Sequence, residues 1–138
     1  MGEALRVAPG WATKNLRLLC PCVRALCVEL VGTAKVHGIR VAVVETLRDL
    51  PRQRYYAETG VSRTLASPHL PQPPNQLSLA FDLVPREYLP MKLWNPGGEL
   101  WTRLGALAGD LGLMWGGDWR RWKDRPHFYL DRCRCKEG

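Results

Sequence analysis

Several features are missing from this chain of 138 residues, and each absence removes a class of protein. No stretch is long and apolar enough for a membrane-spanning helix. The first apolar-rich segment, LRLLCPCVRALCVELVGTA, is broken by Arg24 and Glu29. No charged start followed by a clean apolar run precedes it, so no signal peptide is expected. The expectation is a protein made in the cytoplasm, with any action outside the cell depending on another route of release. No internal repeat is apparent, and strand-like and helix-like segments do not alternate regularly, which argues against a parallel βαβ array. The helical zinc motif H-E-x-x-H is absent. Arginines are spread along the chain without a block of five or six, so charge alone selects no partner.

What remains is an ordinary folded domain with a strong positive balance. The length suffices for one domain with a real hydrophobic core. A hydrophobic content of 46% with 24% charged residues separates it from disordered tails. The net charge of +7 and a pI near 9.5 imply attraction to polyanions: nucleic acid, anionic lipid or an anionic cell wall. The five cysteines, Cys20, Cys22, Cys27, Cys133 and Cys135, include two C-x-C pairs. Cys20 and Cys27 fall on the apolar stripe of a helix, where a thiol acts as a small hydrophobe. The C-x-C spacing is not that of a zinc ribbon, so the expectation is against a second metal site.

Apolar residues at Leu16, Leu19, Cys20, Val23, Leu26, Cys27, Leu30, Val31 and Ala34 have helical spacing, and Gly38 ends the pattern. Pro21 places the helix start at about that residue. The β-branched IRVAVVET reads as a buried strand leading to Arg48, and Pro51 opens a short helix, PRQRYYAE, closed by Gly60. Residues Ser62 to Gln76 are too proline-rich for helix or central strand. LSLAFDLVP alternates, with Leu77, Leu79, Phe81 and Leu83 on one face and Ser78, Ala80 and Asp82 on the other. After NPGG, Leu100, Leu104, Leu107 and Leu111 mark a second long helix ending at Gly112. MWGGDW reads as a turn-rich connection and HFYLD as a last strand. The fold class predicted is α+β: a small antiparallel sheet packed with helices in a single domain.

Three candidate metal ligands stand out: His69 in the loop before a strand, Asp82 on that strand and His127 at the start of the last one. Zinc accepts imidazole nitrogen and carboxylate oxygen, and three protein ligands leave a position open, as in hydrolytic sites. The competing reading makes them hydrogen-bonded structural residues. His37, beside Gly38, reads as a helix C-terminal cation. Asp124 precedes His127 by three positions, with Pro126 preventing a regular helix, so its carboxylate could serve as general base. Asp118, between Gly117 and Trp119, is the rival base and looks more like a turn residue.

At these residues the chain resembles the zinc D,D-carboxypeptidase and L-alanyl-D-glutamate endopeptidase family (peptidase family M15). SPHL…LSLAFDLVP looks like its S-x-H…G-x-A-x-D signature, and LGLMWGGDWRRWKDRPHF looks like the second signature of its endopeptidase branch, which includes phage endolysins. ETLRDLPRQRYYAETGVSRT resembles the segment before the first histidine. The likeness runs from about Leu16 to Leu130. The family's gap between histidine and aspartate is about half the one here, so LPQPPN reads as a loop insertion, costing on the order of 1 kcal/mol of closure entropy. Gln76, Leu77 and Ser78 stand where a glycine usually precedes the x-A-x-D part.

The resemblance implies a Hedgehog/DD-peptidase-like fold, with one catalytic domain over residues 1–138 and its core at about 16–131. It implies one zinc ion per chain on His69, Asp82 and His127, with Asp124 as base and Arg48 stabilising the oxyanion. Read from the residues alone, Arg48 is equally an ion-pair partner of Asp49 or Glu45. Ser67 and Trp119 are candidate substrate-binding residues, although Trp115, Trp119 and Trp122 are better read as cleft wall and core than as platforms for sugar rings.

The function expected is a zinc peptidoglycan hydrolase cutting stem peptides at the L-alanyl-D-glutamate bond, in the manner of an endolysin. It would act on the wall after release, as a monomer without a specific nucleic-acid partner or membrane insertion. The enzymatic rival is D-alanyl-D-alanine carboxypeptidase or dipeptidase activity. The rival of another class is a non-catalytic basic protein that binds polyanions or wall polymer.

Overall fold

The computed structural model describes residues 13–59, 67–73, 76–90, 98–121 and 123–135. A short 3-10 turn, Leu16–Leu18, is capped by Asn15, whose side chain accepts from the Arg17 backbone N–H at 2.9 Å. Helix α1 follows at Pro21–Val36, with proline at its first position, where no backbone N–H is needed. It buries Val23, Cys27, Leu30 and Ala34, the expected stripe, and ends at His37 with Gly38 at φ 81°. The His37 ring Nδ1 lies 2.9 Å from the Thr33 carbonyl, which puts the ring at the C-terminus of α1, where the sequence placed it.

Strand β1 is Val41–Glu45, and helix α2, Leu50–Glu58, starts where the Asp49 carboxylate accepts from the Arg52 N–H. Strand β2 is Ala80–Pro85, helix α3 is Glu99–Asp110, and β3 and β4 are Met114–Trp115 and His127–Tyr129. The four strands form one antiparallel sheet in the order β1-β2-β4-β3. The predicted class is therefore the observed one. The core lies where α1 and α3 pack on the sheet. Phe81 and Phe128 stack there at 5.8 Å, among Leu30, Leu83, Trp101 and Leu104. Each such side chain contributes about 1.5–3 kcal/mol on burial.

Four details differ from the sequence expectation. The alternating segment enters the sheet only at Ala80; before it, Ser78 pairs with Leu19 in an isolated parallel bridge. Helix α3 buries Trp101, Leu104, Gly105 and Ala108, so its inner face is rotated and Leu100, Leu107 and Leu111 flank it. MWGGDW contains a two-residue strand and a 3-10 turn, Gly116–Asp118, because Trp115 packs inward on Phe128. Cys27 is a buried hydrophobe as expected, its thiol pushed up to about 12 by burial, whereas the Cys20 sulfur turns towards Cys133 and Cys135. Gly60 and Trp122 lie outside the described residues. Among the described residues no helix is long and apolar enough to cross a membrane.

The register decides what the sheet presents. Asp82 is opposite His127 on one side and Glu45 on the other, across three strands, with a bulge between Val43 and Glu45. Because side chains alternate, Asp82 and His127 point away from the Phe81–Phe128 core together.

Candidate metal centre

The three sequence-derived ligands converge. His69 Nε2 lies 3.0 Å from Asp82 Oδ1 and 3.2 Å from His127 Nδ1, which is itself 3.3 Å from the same carboxylate oxygen. One donor atom from each residue falls within 4.8 Å of the others. Sheet pairing places Asp82 beside His127; a turn delivers His69. In that turn the Ser67 hydroxyl accepts from the His69 N–H at 3.1 Å and the Ser67 carbonyl from Leu70 N–H at 3.0 Å. The backbone is tied on both sides, with Arg48 N–H donating to the His69 carbonyl and Leu79 N–H to that of Pro68.

The His69 ring is buried, and its Nδ1 is 2.5 Å from the Thr46 carbonyl oxygen. A carbonyl can only accept, so Nδ1 carries a proton and Nε2 is the atom that faces Asp82 and His127, the position from which it would offer its lone pair to a metal. Two imidazole nitrogens and a carboxylate oxygen, one ring already oriented by a backbone acceptor, suit a divalent metal of the zinc type. The donor set fits.

Electrostatics agree with the geometry. Burial alone would raise the Asp82 carboxyl, but the charge of His69 and hydrogen bonds to both imidazoles outweigh it and hold the carboxyl well below the usual range. Burial pushes the His127 ring down, with His69 adding to the effect, which favours the neutral, metal-binding form. Asp124 goes the other way: burial first, and then the Asp82 charge, push its carboxyl up to about 7, the range that suits a group exchanging protons near neutrality.

Asp124 is placed by backbone packing. Its N–H donates to the Gly116 carbonyl at 3.0 Å and its carbonyl accepts from His127 N–H at 3.1 Å. A side chain at Gly116 would collide with the Asp124 carbonyl oxygen. The Trp115 indole N–H holds the Arg125 carbonyl at 2.7 Å, and its ring closely covers Gly105 and Gly117. Trp115 is thus a strut for the loop, while Trp119 is 37% exposed, 5.4 Å from the His127 ring and bonded through its indole N–H to the Tyr129 hydroxyl. Asp118 is exposed in the 3-10 turn, as a turn residue would be.

Arg48 is buried. It pairs through Nε with Glu45 (not with Asp49, which caps α2), donates from Nη1 to Gln53 Oε1 at 2.7 Å and lies over the Tyr56 ring at 4.7 Å. Its charge reaches both Asp124 and His127. Ser67 orients His69 and also borders a concavity of about 330 Å³ with Leu70, Gln72, Tyr129 and Asp131. Sequence reasoning missed Gln53, Tyr56, Tyr129 and the Thr46 carbonyl. A backbone acceptor leaves no residue-type signal, whereas Tyr129 could have been found from its place two residues after a ligand on the same strand face.

Three comparisons bear on this arrangement. A family model described as D-alanyl-D-alanine carboxypeptidase matches residues 61–130. The L-alanyl-D-glutamate peptidase of Listeria phage A118 is 28% identical over 117 residues, covering 85% of this chain and 40% of that protein's length. The crystal structure of the Serratia marcescens L-Ala D-Glu endopeptidase ChiX superposes with a TM-score of 0.59 at 28% identity, over 85% of this chain and 84% of that one.

Proposed function

Since this chain belongs to the M15 peptidases, we propose that it is a zinc-dependent peptidoglycan hydrolase that cuts the L-alanyl-D-glutamate bond of wall stem peptides. The observation that carries the reading is the meeting of His69, Asp82 and His127, with the Asp124 carboxyl within reach of their charge. His69, Asp82 and His127 would hold the zinc, which when bound would supply Lewis acidity toward water and the scissile carbonyl. Asp124 accepts the proton of the attacking water and returns it to the leaving amine. Arg48 donates to the charge that develops on the carbonyl oxygen, held for that role by Glu45 and Gln53. The concavity beside Tyr129 is a site for the peptide flanking the cut bond. Access to the wall follows breach of the membrane, as for a phage enzyme, and the monomer suffices.

Digestion of purified cell walls tests the reading, before and after chelation and with zinc restored. The expected result is lysis that stops on chelation, returns with zinc and exposes new D-glutamate amino termini. Release of free D-alanine instead would establish the carboxypeptidase alternative named by the family model. Lysis unchanged after confirmed metal loss would refute the mechanism. Wall binding without any cleavage would leave a basic binding protein.

A further inference from the structure

Outside that centre, four cysteine sulfurs come together that the hydrolytic reading does not use. Cys20 Sγ lies 3.1 Å from Cys133 Sγ, 3.2 Å from Cys135 Sγ and 3.7 Å from Cys22 Sγ, and all four sulfurs fall within 4.8 Å of one another. From this arrangement we propose that Cys20, Cys22, Cys133 and Cys135 bind a second zinc ion, structural in role, that clamps the segment after β4 to the N-terminus of α1.

A disulfide joins one sulfur to one partner at about 2.0 Å. Here one sulfur has three near neighbours, which is the pattern of a vertex in a tetrahedron. Zinc–sulfur bonds of about 2.3 Å place tetrahedral thiolates roughly 3.8 Å apart, so a small outward movement of the sulfurs accommodates the ion. The backbone is arranged to receive thiolates. Cys22 N–H points to Cys135 Sγ at 3.3 Å, Arg134 N–H to Cys22 Sγ at 3.4 Å and Cys135 N–H to Cys133 Sγ at 3.5 Å. Cys20 is the N-cap of α1 and Cys22 lies in its first turn, where the helix's positive end favours anionic sulfur. Four protein ligands close the coordination shell, the mark of a structural site.

The C-x-C spacing, which argued against metal from sequence, works because Pro21 and the helix start bend one pair while the turn after β4 bends the other. The clamp has a mechanical consequence. Cys20 N–H donates to the Ser78 carbonyl and Leu130 N–H to the Leu79 carbonyl, so both ends it joins are tied to the segment that leads into β2. Fastening them holds the strands that carry Asp82 and His127 in register.

Metal analysis of the full chain, purified under reducing conditions, is expected to give two zinc ions per chain. His127→Ala should retain one and the double variant Cys133→Ser/Cys135→Ser should also retain one, with a lower melting temperature. Cobalt replacement of wild-type protein gives a test that does not depend on variant folding: a sulfur-to-cobalt charge-transfer band should appear, which a centre of two imidazoles and a carboxylate cannot give. Titration with an organomercurial should release one zinc equivalent. A single zinc that His127→Ala abolishes, or cobalt-loaded wild type with no thiolate band, would overturn the proposal. Intact disulfides with no thiol-bound metal in protein isolated without reductant, combined with no zinc uptake after reduction, would also overturn it. These outcomes are independent of whether the His69 centre cuts wall peptides.

Discussion

At the scale of single residues, the buried Asp124 carboxyl faces conflicting demands. In the metal-free protein burial and then the Asp82 charge push it up to about 7, and a cation held beside Asp82 would bring it back down. Asp124→Asn should lower turnover roughly a hundredfold while zinc stays bound, because the amide cannot accept the proton. The metal-free shift also affects stability. Between the ordinary aspartate value and about 7 the folded chain holds a proton that the unfolded chain has lost, so stability contributed by this group falls as pH rises. Asp124→Asn should thus raise the stability of the metal-free protein at neutral pH, on the order of 1 kcal/mol or more, measurable by denaturant unfolding. Asp118→Asn, at an exposed turn position, should leave lysis unchanged. Arg48→Ala should lower turnover on the order of a hundredfold with zinc content unchanged, as the loss of an oxyanion donor does. Normal turnover in that variant would reduce Arg48 to the buried partner of Glu45 and Gln53.

At the scale of elements, the informative contrast is between two glycines. Gly116 lies under the Asp124 backbone, and an added methyl would meet the Asp124 carbonyl oxygen and side chain. Gly116→Ala should cost about 1–3 kcal/mol and, by displacing Asp124, reduce turnover as well. Gly109 in α3 has open space around it. Gly109→Ala should raise stability by about 0.4–1 kcal/mol without touching activity, because only the unfolded chain loses freedom. Thermal melts of both, with lysis assays alongside, check the pair. The elements themselves were largely legible. The α1 stripe, the Pro21 start and the β2 alternation are local patterns repeated over several residues. The short β3 was not, since two residues carry no period, and its pairing depends on Trp115 finding Phe128 from another part of the chain.

For the whole molecule, a net charge of +7 acts over the distance of a Debye length and needs no built pocket. Retention on anionic walls should fall steeply between low and high salt, while cleavage of a small soluble stem peptide should change little. Cosedimentation and peptide turnover measured in parallel across a salt series separate the two contributions. Equal salt sensitivity of both would mean that charge acts at the catalytic site and not in recruitment.

The sequence by itself determined the class of fold and the identities of the metal-ligand candidates, His69, Asp82 and His127. Hydrophobic period, proline position and the chemistry of imidazole and carboxylate are properties of residue type and spacing. Only the tertiary structure decided which residues meet. The register of β2 between β1 and β4 set Glu45, Asp82 and His127 side by side, and the Thr46 carbonyl selected the His69 nitrogen that faces them. It likewise gathered four sulfurs from opposite ends of the chain, which the C-x-C spacing could not reveal. Contacts between distant segments depend on packing in three dimensions, and linear spacing does not record that.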